Sequence, residues 1–151
     1  MRNGNDLVER RRCARVCLLM AAAVVLFGHA MVLAQDKPIA ATDAWVELPV
    51  GGSTGAIAVA TIDNPGMYAF YVVSGTSDVA GKIEFRDASK GNKLLEQITC
   101  EPGDATYLDP KGVHIYLSGL KKELKEGDTV TMTLKTELGL PIAVEATVKK
   151  R

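Results

Sequence analysis

His114 is the residue of this chain best suited to metal chemistry, because it is the only histidine after position 29. Imidazole is the commonest metal ligand among protein side chains. On a strand, residues two positions apart face the same side, so Tyr116 accompanies His114. Tyr116 offers a hard, protonated phenol, and a lone imidazole binds a metal weakly. These residues leave two interpretations of His114 open: a structural or solvated side chain, and a metal ligand.

After position 34 three other side chains offer sulfur as a soft donor, and each has a simpler structural interpretation. Cys100 has the strand spacing of a buried residue, which favours a small core side chain over a reactive or metal-binding one. Met132 lies on the apolar face of an alternating segment and is predicted to lie in the core. Met67 falls in a predicted turn, where it is a ligand candidate only if that turn reaches His114.

The sequence lacks the compact motifs that carry catalysis. It contains no His-Glu-x-x-His, no Gly-x-Ser-x-Gly and no Cys-x-x-Cys. Its many carboxylates lie near strand ends and turns, where solvation explains them. The glycine-rich run at 51–55 has no helix-forming segment after it, so it is typical of a hairpin turn and not of a phosphate-binding loop. The chain is therefore predicted not to be an enzyme.

The elements that must position these side chains are short strands separated by turn sequences. Apolar and polar residues alternate with a period of two, most clearly from Lys82 to Arg86 and from Thr129 to Lys135. Strands that cover a core on one face require this alternation. The pattern predicts an all-β fold, a single antiparallel β-sandwich, with a helical turn allowed only within 117–125. The predicted strands are 40–48, 56–63, 68–74, 82–87, 93–100, 106–108, 113–118, 129–137 and 142–149. The predicted core contains Trp45, Ile57, Phe85, Leu108, Ile115, Leu117 and Val130.

Residues 1–34 have the layout of a secretory signal peptide. A basic segment with five arginines leads into an apolar run at 16–27, and Val32-Leu33-Ala34 fits the small-x-small rule for cleavage before Gln35. The apolar run is shorter than the roughly 20 residues that span a bilayer. We therefore expect a periplasmic or secreted protein with no stable membrane span after cleavage.

The predicted mature chain, residues 35–151, is long enough for one compact domain. It carries thirteen basic and sixteen acidic side chains, a net charge of −3. Nucleic acids and anionic membranes attract concentrated basic surfaces, so neither is a predicted partner. Cys100 is its single cysteine, which excludes an internal disulfide. Neither Cys13 nor Cys17 follows the apolar run, so no lipid attachment is predicted.

From about Ala40 to Val148 the chain resembles the periplasmic copper chaperones of the PCu(A)C family. The resemblance implies a Greek-key β-sandwich similar to the cupredoxins. The matching blocks are Thr42-Asp-Ala-Trp-Val46, Thr61-Ile-Asp-Asn-Pro-Gly66, Ile83-Glu-Phe-Arg86, Tyr107-Leu-Asp-Pro-Lys-Gly112 and Gly119-Leu-Lys-Lys-Glu-Leu-Lys-Glu-Gly-Asp128.

The resemblance also implies a copper site, which the family builds from histidines and methionines that suit Cu(I). His114 matches the histidine of the family's His-x-Met strand, and Tyr116 replaces the methionine. Arg86 stands at the other histidine position. The intervening methionine has no counterpart, and the nearest positions lie in Leu94–Gln97.

By resemblance the chain is predicted to be a periplasmic copper-chaperone-like protein with weakened or lost Cu(I) binding, in which His114 is the remaining metal ligand. The implied partner is a cuproprotein or an oxidase-assembly factor. The departures at Arg86 and Tyr116 favour an alternative, a non-metal-binding accessory or interaction module for another exported protein. We expect His114 and Tyr116 to be neighbours on an exposed or half-exposed strand face, with Arg86 within reach.

Overall fold

A computed structural model describes residues 38–49 and 54–150. Within these residues the regular structure is β-strand, apart from one 3-10 turn at Ala88–Lys90, so the all-β prediction is confirmed. The predicted signal peptide at 1–34 lies outside the described residues. The strands are β1 (Ala40–Glu47), β2 (Gly55–Asn64), β3 (Phe70–Ser77), β4 (Ala80–Asp87), β5 (Lys93–Leu95), β6 (Ile98–Cys100), β7 (Asp104–Tyr107), β8 (Val113–Leu120), β9 (Thr129–Thr136) and β10 (Pro141–Lys149).

The strands form one continuous hydrogen-bonded path in the order β5-β4-β8-β2-β1-β10-β9-β3-β6, with β7 paired to β2. Many neighbours in this path are distant in sequence, as in a Greek key. The described pairings are antiparallel apart from β1 with β10, which is parallel. Strands β3 and β4 also pack together without pairing, so the path curls round a shared core. In the described part of the chain no helix is long and apolar enough to cross a membrane.

The core follows from the period-two alternation of the strands. In β10 every second side chain from Ile142 to Val148 is buried, and β9 does the same from Val130. Predicted core residues that are buried are Phe85, Leu108, Ile115, Leu117 and Val130. The predictions for Trp45 and Ile57 are wrong, because both are only partly buried.

The cause of this error is that β1 and β2 carry apolar residues on both faces. In β2 the alternate residues Ala56, Ala58 and Ala60 point into the core, which places Ile57 on the outer face. Val46 is the fully buried residue at the end of β1, and a register shift between Thr42 and Trp45 interrupts the pairing before it. Alternation fixes which face is buried only where the other face is polar.

Two predicted elements differ from the structure. The helical turn allowed within 117–125 is wrong, because Leu117–Leu120 continue β8. The 3-10 turn lies instead at Ala88–Lys90, where the Asp87 carboxylate accepts a hydrogen bond from the Ser89 N–H and Gly91 ends the turn at a φ of 70°. The predicted strand 93–100 is two strands, since β5 pairs with β4 and β6 pairs with β3.

Asn64 closes one end of the fold through its buried side chain. Its Nδ2 donates to the carbonyl oxygens of Tyr68 and Cys100, both at 3.0 Å. Its Oδ1 accepts from the Gly66 N–H at 3.0 Å. Asn64 is 1% exposed, and its amide supplies both the donors and the acceptor that this turn needs. The Asn-x-Gly block of the sequence therefore forms a turn that the buried Asn64 side chain stabilises by hydrogen bonds.

Candidate functional site

The candidate site is a row of side chains on the outer face of the β4–β8 pair. In this antiparallel register Arg86 lies opposite His114, and Glu84 lies opposite Tyr116. Directly opposed residues share a face. Phe85 and the residue opposite it point into the core, so their neighbours point outward. We call Lys82, Glu84, Arg86, His114 and Tyr116 the β4–β8 cluster.

Arg86 is fixed from two directions within this cluster. Its Nη2 donates to Glu84 Oε2 at 2.6 Å, and its Nε donates to the same oxygen at 3.1 Å. The guanidinium carbon lies 4.2 Å from the centre of the Tyr116 ring, a cation–π distance. Arg86 is therefore an ordered part of the site, and its planar group covers the Tyr116 ring.

Glu84 balances the positive charge of this face. Its second carboxylate oxygen receives Lys82 Nζ at 2.9 Å. Hydrogen bonds hold the pKa of Glu84 below its ordinary value of 4.5, and the bond from Lys82 has a larger effect than the bond from Arg86. The carboxylate is charged at neutral pH and serves both cations. It is not available as a metal ligand without breaking these ion pairs.

His114 lies on the predicted face, but it is 1% exposed, so the expectation of an exposed or half-exposed histidine is wrong. Its Nδ1 lies 3.1 Å from the carbonyl oxygen of Gly112, which also accepts the Ala88 N–H at 2.9 Å. Because a carbonyl oxygen can only accept, Nδ1 carries the proton in this bond. In the neutral ring Nε2 then holds the lone pair, as it does in many metal-bound histidines.

The Tyr116 side chain extends from β8 towards β2 and lies against Gly55, the first residue of that strand. A methyl group at position 55 would overlap the phenol ring of Tyr116 and would lie 2.9 Å from the carbonyl oxygen of Leu117. Beside this contact is an open surface cavity of about 260 Å³, lined among others by Glu47, Pro49 and Tyr116. The glycine is needed for this close approach of the ring to the backbone.

Gly55→Ala is expected to lower the free energy of unfolding by about 1–3 kcal/mol, since overpacking a close contact has that order of cost. Urea unfolding measures it. The cost should shrink in a Tyr116→Ala background, where the ring is gone and only the Leu117 carbonyl remains close. Gly81→Ala is the matched control, because the nearest atom to its new methyl group would be 3.4 Å away. Equal costs at positions 55 and 81 would contradict this account.

The remaining predicted donors do not join the cluster. Cys100 and Met132 are both fully buried, as predicted. Burial raises the pKa of the Cys100 thiol, which disfavours the thiolate that binds metals. Met67 is 84% exposed in the turn after Asn64. Among the described residues no group of three or more His, Cys, Asp or Glu side chains could hold a metal ion.

Leu94 is the position that sequence reasoning could not single out. It lies opposite Arg86 in the β4–β5 pair, and its side chain is 58% exposed. The opposed row therefore runs from Leu94 through Arg86 to His114. The shortened loop hid this register in the sequence, and only strand pairing reveals it. The residues that accompany His114 on this face are leucine, arginine and tyrosine, and none of these three side chains is a donor that suits Cu(I).

Comparison with known proteins gives matches over most of the described chain. The model of a family described as "Putative lipoprotein LpqE-like" matches residues 39–148. A protein of Leifsonia xyli subsp. xyli named "Putative lipoprotein Lxx21020" is 27% identical over 121 residues, covering 76% of this chain and 72% of that protein.

Solved structures with the same fold include PCuAC domains. The Cu(I) form of DR1885 from Deinococcus radiodurans is 28% identical, with a TM-score of 0.66 over 78% of this chain and 83% of that one. The copper-bound PCuAC domain from PmoF2 is 21% identical, with a TM-score of 0.65 over 74% of this chain and 92% of the domain. The resemblance to PCu(A)C proteins and the cupredoxin-like fold are thereby confirmed.

Proposed function

Because this chain belongs to the LpqE-like family and has the PCuAC fold, we propose that it is an exported copper-chaperone-like protein whose Cu(I) binding is weakened or lost. The fold supports the copper-chaperone-like part of this proposal, since two solved structures with this fold are described as copper-bound and Cu(I) forms. The weakened or lost binding rests on one observation. Arg86 lies directly opposite His114, and its guanidinium is stacked on the Tyr116 ring and paired with the Glu84 carboxylate.

The energetics favour weak binding at His114. Side chains opposed across two strands have Cβ atoms about 5 Å apart. A monovalent metal held by His114 would lie near the positive charge of Arg86 and would be repelled by it. Glu84 offsets part of this repulsion, but it does not supply the missing thioether donors. One buried imidazole with its Nε2 lone pair remains.

Export is part of the same proposal. Residues 1–34 would be removed as a signal peptide, which would leave a protein in the periplasm or the medium. The lipoprotein names of the family and of the Leifsonia relative support passage out of the cytoplasm. A partner that fits this role is a cuproprotein or an oxidase-assembly factor that receives copper outside the cytoplasm.

An anaerobic Cu(I) titration against a competing chelator tests the copper assignment. The protein purified after expression of the full chain should bind Cu(I) no more tightly than an isolated imidazole site. His114→Ala should change the measured affinity by less than about tenfold, because little affinity is present to lose. Tight wild-type binding that His114→Ala abolishes would return the chain to the working copper carriers.

A second candidate is a non-metal-binding accessory or interaction module for another exported protein. The observation that favours it is the internal pairing of the β4–β8 cluster. Lys82 and Arg86 both form ion pairs with Glu84, and Arg86 also makes a cation–π contact with Tyr116. A cluster satisfied in this way is suited to a stable surface and not to the capture and release of an ion. The same titration supports this candidate if no Cu(I) is bound at His114, whereas weak but measurable binding that His114→Ala reduces supports a weakened copper site.

A further inference from the structure

One end of the domain exposes apolar side chains on two neighbouring loops. The first loop joins β2 to β3 and presents Met67 and Tyr68, which are 84% and 81% exposed. The second joins β9 to β10 and presents Leu138 and Leu140, which are 76% and 51% exposed. Between the loops lies an apolar groove of about 220 Å³. We call these four side chains and the groove the apolar end.

Both loops are held in place by buried polar side chains. Asn64 makes the three hydrogen bonds that shape the first loop. Thr136, which is 3% exposed, accepts the Leu140 N–H on its side-chain oxygen at 3.1 Å. Its backbone bonds to Leu140 and Gly139 as well. The exposed side chains are therefore presented on ordered backbone, which lowers the conformational-entropy cost of binding a partner.

The charge around the apolar end is acidic. A third turn is tied to the first loop by a hydrogen bond from the Gly103 N–H to the Gly66 carbonyl at 3.0 Å. This turn carries exposed Glu101 and leads into exposed Asp104 at the start of β7, and the second loop carries exposed Glu137. The three segments at 64–70, 100–104 and 136–141 contain no lysine or arginine, and the cation adjacent to the third segment is the exposed Lys135, which lies opposite Pro141. An apolar centre with an acidic rim is complementary to an apolar segment flanked by basic residues.

We propose that the apolar end docks a basic, amphipathic segment of a partner protein, with its apolar face in the groove and its lysines or arginines on the acidic rim. This gives the accessory-module candidate a surface and a partner chemistry, and it does not depend on copper at His114. Tyrosine and methionine are enriched in the centres of protein interfaces, whereas charged residues belong to the rim. The acidic rim disfavours an anionic membrane surface, which attracts basic residues.

The binding test uses two synthetic probes. One peptide repeats leucine and lysine at helical spacing, and its matched control has glutamate at every lysine position. Titration of the protein purified after expression of the full chain, followed by peptide fluorescence anisotropy, should show binding of the lysine peptide alone. Added salt should weaken this binding because the rim contacts are exposed. Binding of neither peptide, or equal binding of both, would overturn the proposed partner chemistry.

Variants locate the binding on the domain. Met67→Ser with Leu138→Ser should raise the Kd of the lysine peptide at least about tenfold, which corresponds to 1.4 kcal/mol. Leu94→Ser is the matched control, because Leu94 is an exposed leucine on the β4–β5 pair. Glu101→Gln should weaken binding, and Glu123→Gln, another exposed glutamate, should not. Equal effects of the serine variants at both places would overturn the assignment of the surface.

Two further outcomes would replace the proposed occupant. Sedimentation with phosphatidylcholine vesicles that is lost in the Met67→Ser, Leu138→Ser variant would identify the apolar end as a membrane contact. Concentration-dependent dimerisation that is lost in the same variant would identify it as a contact between copies of this chain. The Cu(I) titration of this variant should match the wild type, so a failure here is distinct from a failure of the copper assignment.

Discussion

The variant Arg86→His, Leu94→Met, Tyr116→Met is expected to bind Cu(I) at least about a hundredfold more tightly than the wild-type protein. Arg86→His and Tyr116→Met place an imidazole and a thioether next to His114, and Leu94→Met places a second thioether next to position 86. Arg86 lies opposite His114, Leu94 lies opposite Arg86, and Tyr116 lies two residues along the same face. Removing the guanidinium also removes the electrostatic repulsion, and thioether and imidazole donors suit Cu(I).

The contributions of the three positions can be separated by the same competition titration. Arg86→His with Tyr116→Met should recover part of the affinity, and Leu94→Met should add the remainder, because it supplies the donor missing from the Leu94–Gln97 region. Adding His114→Ala to the triple variant is the control and should remove part of the gained affinity, because one of the four donors is then lost. If the triple variant binds no better than wild type, the assignment of these positions to one ion site is wrong.

A second large effect is expected at the buried turn that shapes the apolar end. Asn64→Asp should lower the free energy of unfolding by about 3–5 kcal/mol at neutral pH, the cost of a buried charge without a partner. The new carboxylate would keep the acceptor for the Gly66 N–H, but it would face the carbonyl oxygens of Tyr68 and Cys100 where the amide donated. Asn92→Asp, on an exposed turn, should stay within about 0.5 kcal/mol.

The pH dependence of this variant gives an independent check. Burial and the two carbonyl oxygens disfavour the charged form of Asp at position 64, so its pKa in the folded protein is raised. The folded state then binds more protons than the unfolded state, and the variant regains stability relative to wild type as the pH falls through that pKa. Denaturant unfolding at a series of pH values measures the difference. A constant difference would show that the loss is steric and not electrostatic.

The fold was predictable from the sequence because its signals are local. The alternation in β4, β9 and β10 has a polar outer face, so the strands and their buried side chains follow directly. Turn sequences rich in glycine, proline and asparagine separate the strands. The pattern failed at Trp45 and Ile57, where both faces of the strands are apolar and alternation no longer tells inside from outside.

Some properties of the candidate site likewise follow from the residue types, and others depend on the tertiary structure. The residue types alone predicted that a complete Cu(I) donor set is missing, since the resemblance places Arg86 and Tyr116 at two donor positions of the family pattern and no methionine follows Met67 until Met132. They also gave the resemblance to PCu(A)C proteins. These conclusions need no knowledge of distance, because a guanidinium or a phenol is a poor soft donor wherever it lies.

The tertiary structure alone decided how those residues act on one another. Strand register put Arg86 against His114 and Leu94 against Arg86, and it buried a histidine that the sequence placed on an outer face. It also brought two apolar loops, separated by some seventy positions in the chain, to one acidic end. Such contacts depend on pairing between distant strands, and that pairing is set by the packing of the whole core, which no local pattern records.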